Sequence, residues 1–332
     1  MTSEVARVEA QAEAFREGFA HLHREIGRVF VGQPTLIDGV LLAFFCGGHV
    51  LIEGPPGLGK TLLVRTLAEA LDLGFSRIQC TPDLMPADIT GTNVLVESAP
   101  GVHAMTFQPG PIFANVVLAD EINRATPRTQ AAFLEAMQER HVTLFGQTHR
   151  LDEPFCVIAT QNPIEMEGTF PLPEAQLDRF FFKLTVQNPS IADLLEIVIR
   201  TTGPEQPHAT PRFGPDAVRE MSAIIRHVKV AEPVLRSVLH LVAATHPSSP
   251  DAPPLVRQYV RFGASPRAAQ SIILAAKATA LLAGRYNVAV DDIVRVAEPA
   301  LTHRVLRNFQ ADLDHVTAAS IVAQVLSPLR SV

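Results

Sequence analysis

The sequence predicts an α/β fold with a parallel central sheet, followed by a smaller all-helical part. Three observations predict it. A short apolar run, His49-Val50-Leu51-Ile52, enters a glycine-rich turn and leaves through Leu62-Leu63-Val64-Arg65-Thr66-Leu67, which reads as a helix. Two further runs, residues 115–119 and 155–160, read as buried strands, the first with the continuous apolar character of a central parallel strand covered on both faces. From Pro215 onward only helical patterns occur, broken at 247–254 and 263–266.

Taken in order, residues 5–30 form an amphipathic helix. Val8, Ala12, Phe15, Phe19, Leu22, Ile26 and Val29 recur at steps of three or four, with Glu9, Glu13, Arg16, Glu17 and Arg24 between them. That stripe reads as core packing. Val31-Gly32-Gln33 breaks the helix, and residues 34–45 resume helical periodicity before the first strand. Residues 77–80 read as a second strand. The stretch 82–110 is richer in Pro and Gly and carries an alternating run at 92–97 with a second short strand at 103–107, a small β insertion projecting from the body. Thr126 as N-cap and Pro127 in the first turn open a helix that runs to about residue 140. Residues 141–151 alternate and turn at Phe145-Gly146-Gln147, the pattern of a hairpin. Residues 172–180 read as a short helix, 181–186 as a strand and 191–201 as a helix; the Gly/Pro-rich stretch 202–215 is the expected hinge or long loop near the domain junction.

The 332 residues give length for one large or two modest domains. Hydrophobic residues make up 47%, as in an ordinary soluble globular protein. A net charge of −6 gives no bulk attraction to nucleic acid and leaves only a local basic channel open. Cys46, Cys80 and Cys156 lack C-x-x-C spacing and sit in apolar surroundings, the pattern of buried thiols in a reducing compartment rather than a zinc site. Acidic residues near the start, with no long apolar core after them, do not make a signal peptide. No run of about 18 apolar residues predicts membrane insertion, so the cytoplasm is the expected location.

The turn itself is Gly54-Pro55-Pro56-Gly57-Leu58-Gly59-Lys60-Thr61, with Leu62 next. G-x-x-x-x-G-K-T between a strand and a helix is the pattern of a P-loop. Its glycines let backbone N–H groups turn toward a polyphosphate, and the helix after it offers free N–H groups and a positive dipole end. Lys60 is expected to reach the β- and γ-phosphates of ATP, and the Thr61 hydroxyl to bind Mg²⁺. Asp120-Glu121 ends the apolar strand as a Walker B pair, at the strand end where open α/β sheets bind ligands. Asp120 is expected to hold Mg²⁺ through water or Thr61, and Glu121 to orient and deprotonate the attacking water. Asn162 closes a strand, where a neutral amide suits a lytic water or a γ-phosphate; alone, Asn-Pro reads as a turn. Arg179 at a helix end reads alone as a dipole partner or a surface charge. Arg267 opens a helix, where a cation opposes the dipole and invites an anionic partner.

Together these residues carry a resemblance. The chain resembles a MoxR-type AAA+ ATPase over residues from about 25 to 325, through VGQ at 31–33, GPPGLGKT, LADEINRATPRTQAAFLEAMQER at 118–140, ATQNPIEMEGTFPLPEAQLDRFFFK at 159–183 and GASPRA at 263–268. The resemblance implies a doubly wound P-loop core over residues 1–200 and a helical lid domain over 201–332. It implies Val31 and Gly32 against adenine, Asn162 as sensor 1, Arg179 as an arginine finger on a neighbouring subunit and Arg267 as sensor 2 on the γ-phosphate. The β insertion at 88–110 and the hairpin at 141–151 would face a central pore or substrate. A hexameric homo-oligomer, a protein client and a partner with a von Willebrand factor A domain are implied as well. A nucleic-acid motor and a metal-chelatase subunit are the competing classes; the two Arg and two His at 140–150 are a weak basic signal for the first.

Overall fold

The computed structural model describes residues 2–99, 102–163, 168–204 and 207–331. It opens with α1 (Thr2–Val29) and α2 (Pro34–Phe45), then β1 (Val50–Glu53), α3 (Lys60–Ala70) and β2 (Phe75–Gln79). There follow α4 (Pro86–Thr90), β3 (Gly91–Ala99), β4 (Val102–Pro109), β5 (Val116–Asp120), α5 (Pro127–Glu139), β6 (His141–Leu144), β7 (Gln147–Arg150) and β8 (Cys156–Gln161). The core closes with α6 (Glu174–Leu177), β9 (Phe182–Thr185) and α7 (Ile191–Thr202).

Five strands form one parallel sheet in the order β2-β5-β8-β1-β9. Alternate side chains of a strand face opposite ways, and here both ways are apolar. Val50, Ile52, Val116, Leu118 and Ile158 join one cluster with α1–α3, while Leu51, Val117, Ala119, Val157 and Ala159 join a second with α5. That double burial is why these strands read as unbroken apolar runs. Every strand of a parallel sheet ends on the same edge, so the P-loop after β1, the acids ending β5 and the residues ending β8 share one rim.

Two antiparallel ribbons leave this body. β3 and β4 pair from Gly91↔Pro109 to Ala99↔Val102, and β6 and β7 from His141↔Arg150 to Leu144↔Gln147. The neck of the first is tight: a Cβ on Gly91, at φ +88°, would lie 2.2 Å from the Gln108 carbonyl. The ribbons touch each other, the Phe107 and His149 rings stacking at 3.9 Å between centroids.

The chain then builds α8 (Pro215–His227), α9 (Glu232–Ala243), α10 (Pro254–Tyr259), α11 (Pro266–Leu282), α12 (Val290–Leu301), α13 (Phe309–Leu313) and α14 (Ala318–Leu326). α12 packs along β9 and α8 and α11 pack on α1, so one apolar core runs through both parts. No described helix is long and apolar enough to cross a membrane.

Three expectations are corrected in detail. The predicted helix at 172–180 is only the four residues of α6; Pro171 and Pro173 hold its start extended, and the residues after Leu177 turn toward the lid. The helical part contains a short pairing of β10 (Val260–Phe262) with β11 (Leu306–Arg307), too brief for periodicity to reveal. At the end of the α1 stripe, Phe30 rather than Val29 is the fully inserted side chain.

Candidate nucleotide-binding and hydrolysis site

The glycines of the loop after β1 are demanded by geometry. Gly57 and Gly59 have φ of 81° and 76°, the left-handed region that side chains disfavour. Gly54 donates its N–H to the Gln161 carbonyl at 3.2 Å, and a Cβ there would meet Val186 at 2.9 Å. Gly59 caps α3, whose first N–H groups are left for an anion. Lys60 bends back over the loop, its ammonium donating to the Gly54 carbonyl at 2.5 Å and the Pro55 carbonyl at 3.0 Å. Burial lowers its pKa from the ordinary range, opposed by the charges of Asp120 and Glu121. Both acids therefore lie within electrostatic reach of the lysine. Thr61, half-buried, and Leu62, exposed, follow on α3.

The Phe30 ring lies 3.1 Å from where a Gly59 Cβ would stand. The turn that follows, Val31-Gly32-Gln33, is tied to the start of α7. Gly32, at φ +73°, leaves no room for a side chain beside the Asp193 carboxylate, 2.9 Å from its absent Cβ. Gln33 Oε1 accepts the Gln187 N–H at 2.9 Å. Val31 and Gly32 are half-exposed.

Asp120 and Glu121 are held by residues that sequence reasoning did not single out. Fully buried Thr160, on β8, donates its hydroxyl to Asp120 Oδ1 at 2.7 Å and accepts the Glu121 N–H at 2.8 Å. Arg77 donates to Asp120 Oδ2 from Nε at 3.1 Å and from Nη2 at 2.7 Å. Glu121 has φ 56°, a strained conformation for a non-glycine residue, and Glu121 Oε2 accepts from Gln79 and Arg124, each at 3.1 Å. The signal for Thr160 was a hydroxyl in an otherwise apolar strand; Arg77 gave none, because its partner comes from a strand 43 positions later.

Asn162 is buried at the end of β8, beside a cavity of about 460 Å³ that Glu53, Gln161, Lys183 and the lid residues His303 and Arg307 also line. Arg179 lies elsewhere. Half-buried, it donates to the Leu134 carbonyl at 2.8 Å, and its Nε has no partner among the described residues. Its guanidinium is seated against α5, and Phe180, Phe181 and Phe182 beside it are buried. Asp178 does not pair with it. That carboxylate accepts from Ser265 Oγ at 2.7 and 2.8 Å and from Arg304 Nε at 2.9 Å, with Arg267 at 4.0 Å. Arg267, at the start of α11, has the Asp178 carboxylate as its nearest anionic group.

The residues fit a nucleoside triphosphate with Mg²⁺. Two glycines at positive φ turn the loop beside a folded-back lysine ahead of the free N–H groups of α3, and two carboxylates act on that lysine electrostatically from the same sheet rim. The side chains here that could hold Mg²⁺ are the Asp120 carboxylate and the Thr61 hydroxyl, few enough that waters and phosphate oxygens would supply the rest of its shell.

A P-loop after β1, an acidic pair ending β5 and a helical lid define an AAA+ protein. Residues 49–182 match the ATPase family associated with various cellular activities (AAA), and residues 254–325 match the AAA lid domain. The chain is 41% identical over 302 residues to "Chaperone MoxR1" of Mycobacterium tuberculosis, covering 91% of this chain and 79% of that protein. To "Protein MoxR" of Methylorubrum extorquens it is 30% identical over 317 residues, covering 90% of each. A crystal structure from Cytophaga hutchinsonii, described as a candidate ATPase, superposes with a TM-score of 0.90 at 37% identity and covers 98% of each chain. The chain belongs to the MoxR family of AAA+ ATPases.

Proposed function

We propose that this protein binds ATP with Mg²⁺, hydrolyses it, and uses the cycle as a chaperone that remodels a protein client. The observation that carries the hydrolytic part is the convergence of Lys60 with Asp120 and Glu121 at one sheet rim. The P-loop backbone from Gly54 to Thr61 and Lys60 hold the phosphates, and Val31 and Gly32 bound the adenine. Thr61 and Asp120 hold Mg²⁺, which when bound neutralises charge on the phosphates. Glu121 takes a proton from the attacking water, and Asn162 orients that water or the γ-phosphate. Arg179 acts on a neighbouring subunit, where an arginine supplied in trans raises hydrolysis by roughly 10³–10⁵-fold. Arg267 reads the γ-phosphate. A site completed by a neighbour makes chemistry depend on assembly, in our reading a hexameric ring working with a von Willebrand factor A domain partner.

A protein client is favoured by what the two ribbons expose. Leu95 and Met105 face each other across β3 and β4 at 64% and 63% exposure, and Phe145 at the hairpin tip is 74% exposed. Apolar tips suit an unfolded segment of protein. Half of the basic signal of the hairpin is spent internally: of its two Arg and two His, Arg140 pairs with Glu153 at 2.6 Å and His149 stacks on Phe107. The test is ATP turnover with an unfolded protein or with single-stranded DNA added. Stimulation by the protein, lost in Leu95→Asp/Met105→Asp, is expected; stimulation by DNA alone would refute the client reading.

A further inference from the structure

Arg304 presents a problem that stability does not solve. Its side chain is only 2% exposed, and it stands in the lid just past α12. Burial lowers its pKa to about 10 despite the nearby Asp178 carboxylate. Buried ion pairs are often no better for stability than apolar packing of the same volume. The hydrogen bonds of this one guanidinium are concentrated on a single short segment of the core. Arg304 Nη2 donates to the carbonyls of Asp178 at 3.0 Å and Phe180 at 2.6 Å, and Nη1 reaches that of Phe181 at 3.3 Å. Nε donates to the Asp178 carboxylate at 2.9 Å, and Nη1 also anchors to Ala300 on α12 at 2.5 Å. His303 Nε2 adds a bond to the Phe180 carbonyl at 3.0 Å, and Ser265, capping α11, holds the Asp178 carboxylate. The lid therefore grips the chain immediately before and immediately after Arg179, and leaves Arg179 itself free of the grip.

We infer that Arg304 is a positioning residue for Arg179: by clamping the backbone on both sides of it, the lid sets the point from which that side chain, once released from the Leu134 carbonyl that holds it here, reaches the neighbouring subunit. This rests on the reading that Arg179 acts in trans. The device has a consequence for the ring. A lid that moves with its own nucleotide carries residues 178–181 with it, because the bonds are made by lid side chains to core carbonyls. The state of one subunit's site then alters hydrolysis in the next without any contact between the two nucleotides. A fork of N–H donors set against several carbonyls also explains why the residue is an arginine: a lysine ammonium cannot reach them in that spread.

The test uses full-length protein and ATP. Arg304→Gln should lower kcat by about tenfold to hundredfold, the scale on which small misplacements act, with ATP affinity within about twofold of wild type. Mixing with Glu121→Gln subunits should restore turnover, since those subunits keep a well-placed Arg179 and serve the intact Glu121 of an Arg304→Gln neighbour. The double variant Arg179→Ala/Arg304→Gln should be no slower than Arg179→Ala. Arg304→Gln at wild-type turnover, or a double variant slowed by the product of the two single effects, would overturn the clamp while leaving Arg179 in catalysis. Wild-type turnover in Arg179→Ala alone would instead remove the trans reading, and the clamp with it. Should Arg304→Gln not fold cooperatively, Ser265→Ala replaces it; additivity with Arg179→Ala would again overturn the inference, and non-additivity would support it.

Discussion

Thr160→Val is the sharpest probe of how the acidic pair is organised. The substitution keeps the shape of a fully buried side chain and removes one oxygen. That oxygen makes two bonds, donating to Asp120 Oδ1 at 2.7 Å and accepting the Glu121 N–H at 2.8 Å. A hydrogen bond to a charged group contributes about 1.5–3 kcal/mol, and a buried N–H left without a partner costs about 1–3 kcal/mol. Because part of each loss is recovered by relaxation, the net destabilisation should be about 2–4 kcal/mol. The effect on chemistry should be larger than that on binding. Asp120 keeps both Arg77 bonds and swings toward them, while Glu121 loses the contact that holds its strained φ of 56°. Turnover should fall about tenfold to hundredfold, with nucleotide affinity nearly unchanged, because the P-loop is untouched. Steady-state phosphate release and titration with a fluorescent ATP analogue measure the two quantities, and Thr160→Ser, which restores the hydroxyl, should recover most of the rate. Thr160→Val turning over within about twofold of wild type would refute the claim that this hydroxyl organises the acids.

Other outcomes follow from the same geometry. Lys60→Ala should lose ATP binding; unchanged affinity would sink the P-loop assignment. Glu121→Gln should keep binding and lose turnover, since a carboxamide cannot take the proton of the water, and near-normal turnover would rule it out as the base. Buried His49 accepts the Val157 N–H at 2.9 Å and lies 3.0 Å from the Met137 carbonyl, a pairing that needs the neutral ring; burial first, then the charge of Arg140, lowers its pKa to about 4. The unfolded chain then takes up a proton near pH 6.5 that the folded chain refuses until about pH 4, so stability should be level above about pH 7 and fall on the order of 2 kcal/mol by pH 5. His303, shifted in the same direction by burial, adds to the loss; equal urea midpoints at pH 7 and pH 5 would contradict this.

What was legible in the sequence divides along a physical line. Apolar periodicity is a local property, and it located the strands from 50 to 160, the α1 stripe and both ribbons, because each needs only neighbours in the chain to show its pattern. The P-loop was legible for the same reason: its turn, its cap and its lysine lie within eight consecutive residues. The failures come from bonds made at a distance. Arg179 alone reads as a dipole partner or a surface charge, and its neighbour Asp178 gives no signal; the fold gives Asp178 to Arg304 and Ser265, at separations of 126 and 87 residues. Arg304 was silent because a lone arginine after an apolar helix looks like an ordinary C-terminal dipole partner. Only the folded chain shows that its donors are turned away from solvent and onto carbonyls of another part. The short helix α6 fails for a related reason. Helical propensity favoured continuing to Phe180, but Phe181 donates its N–H to the His49 carbonyl and β9 starts at Phe182, so the chain must leave the helix early to enter the sheet. The carbonyls of residues 178 and 180, which a helix ending there would leave without intrahelical donors, find them on the lid. The carbonyls on both sides of Arg179 are thus satisfied by one lid side chain, which is the physical ground for expecting the lid to govern that arginine.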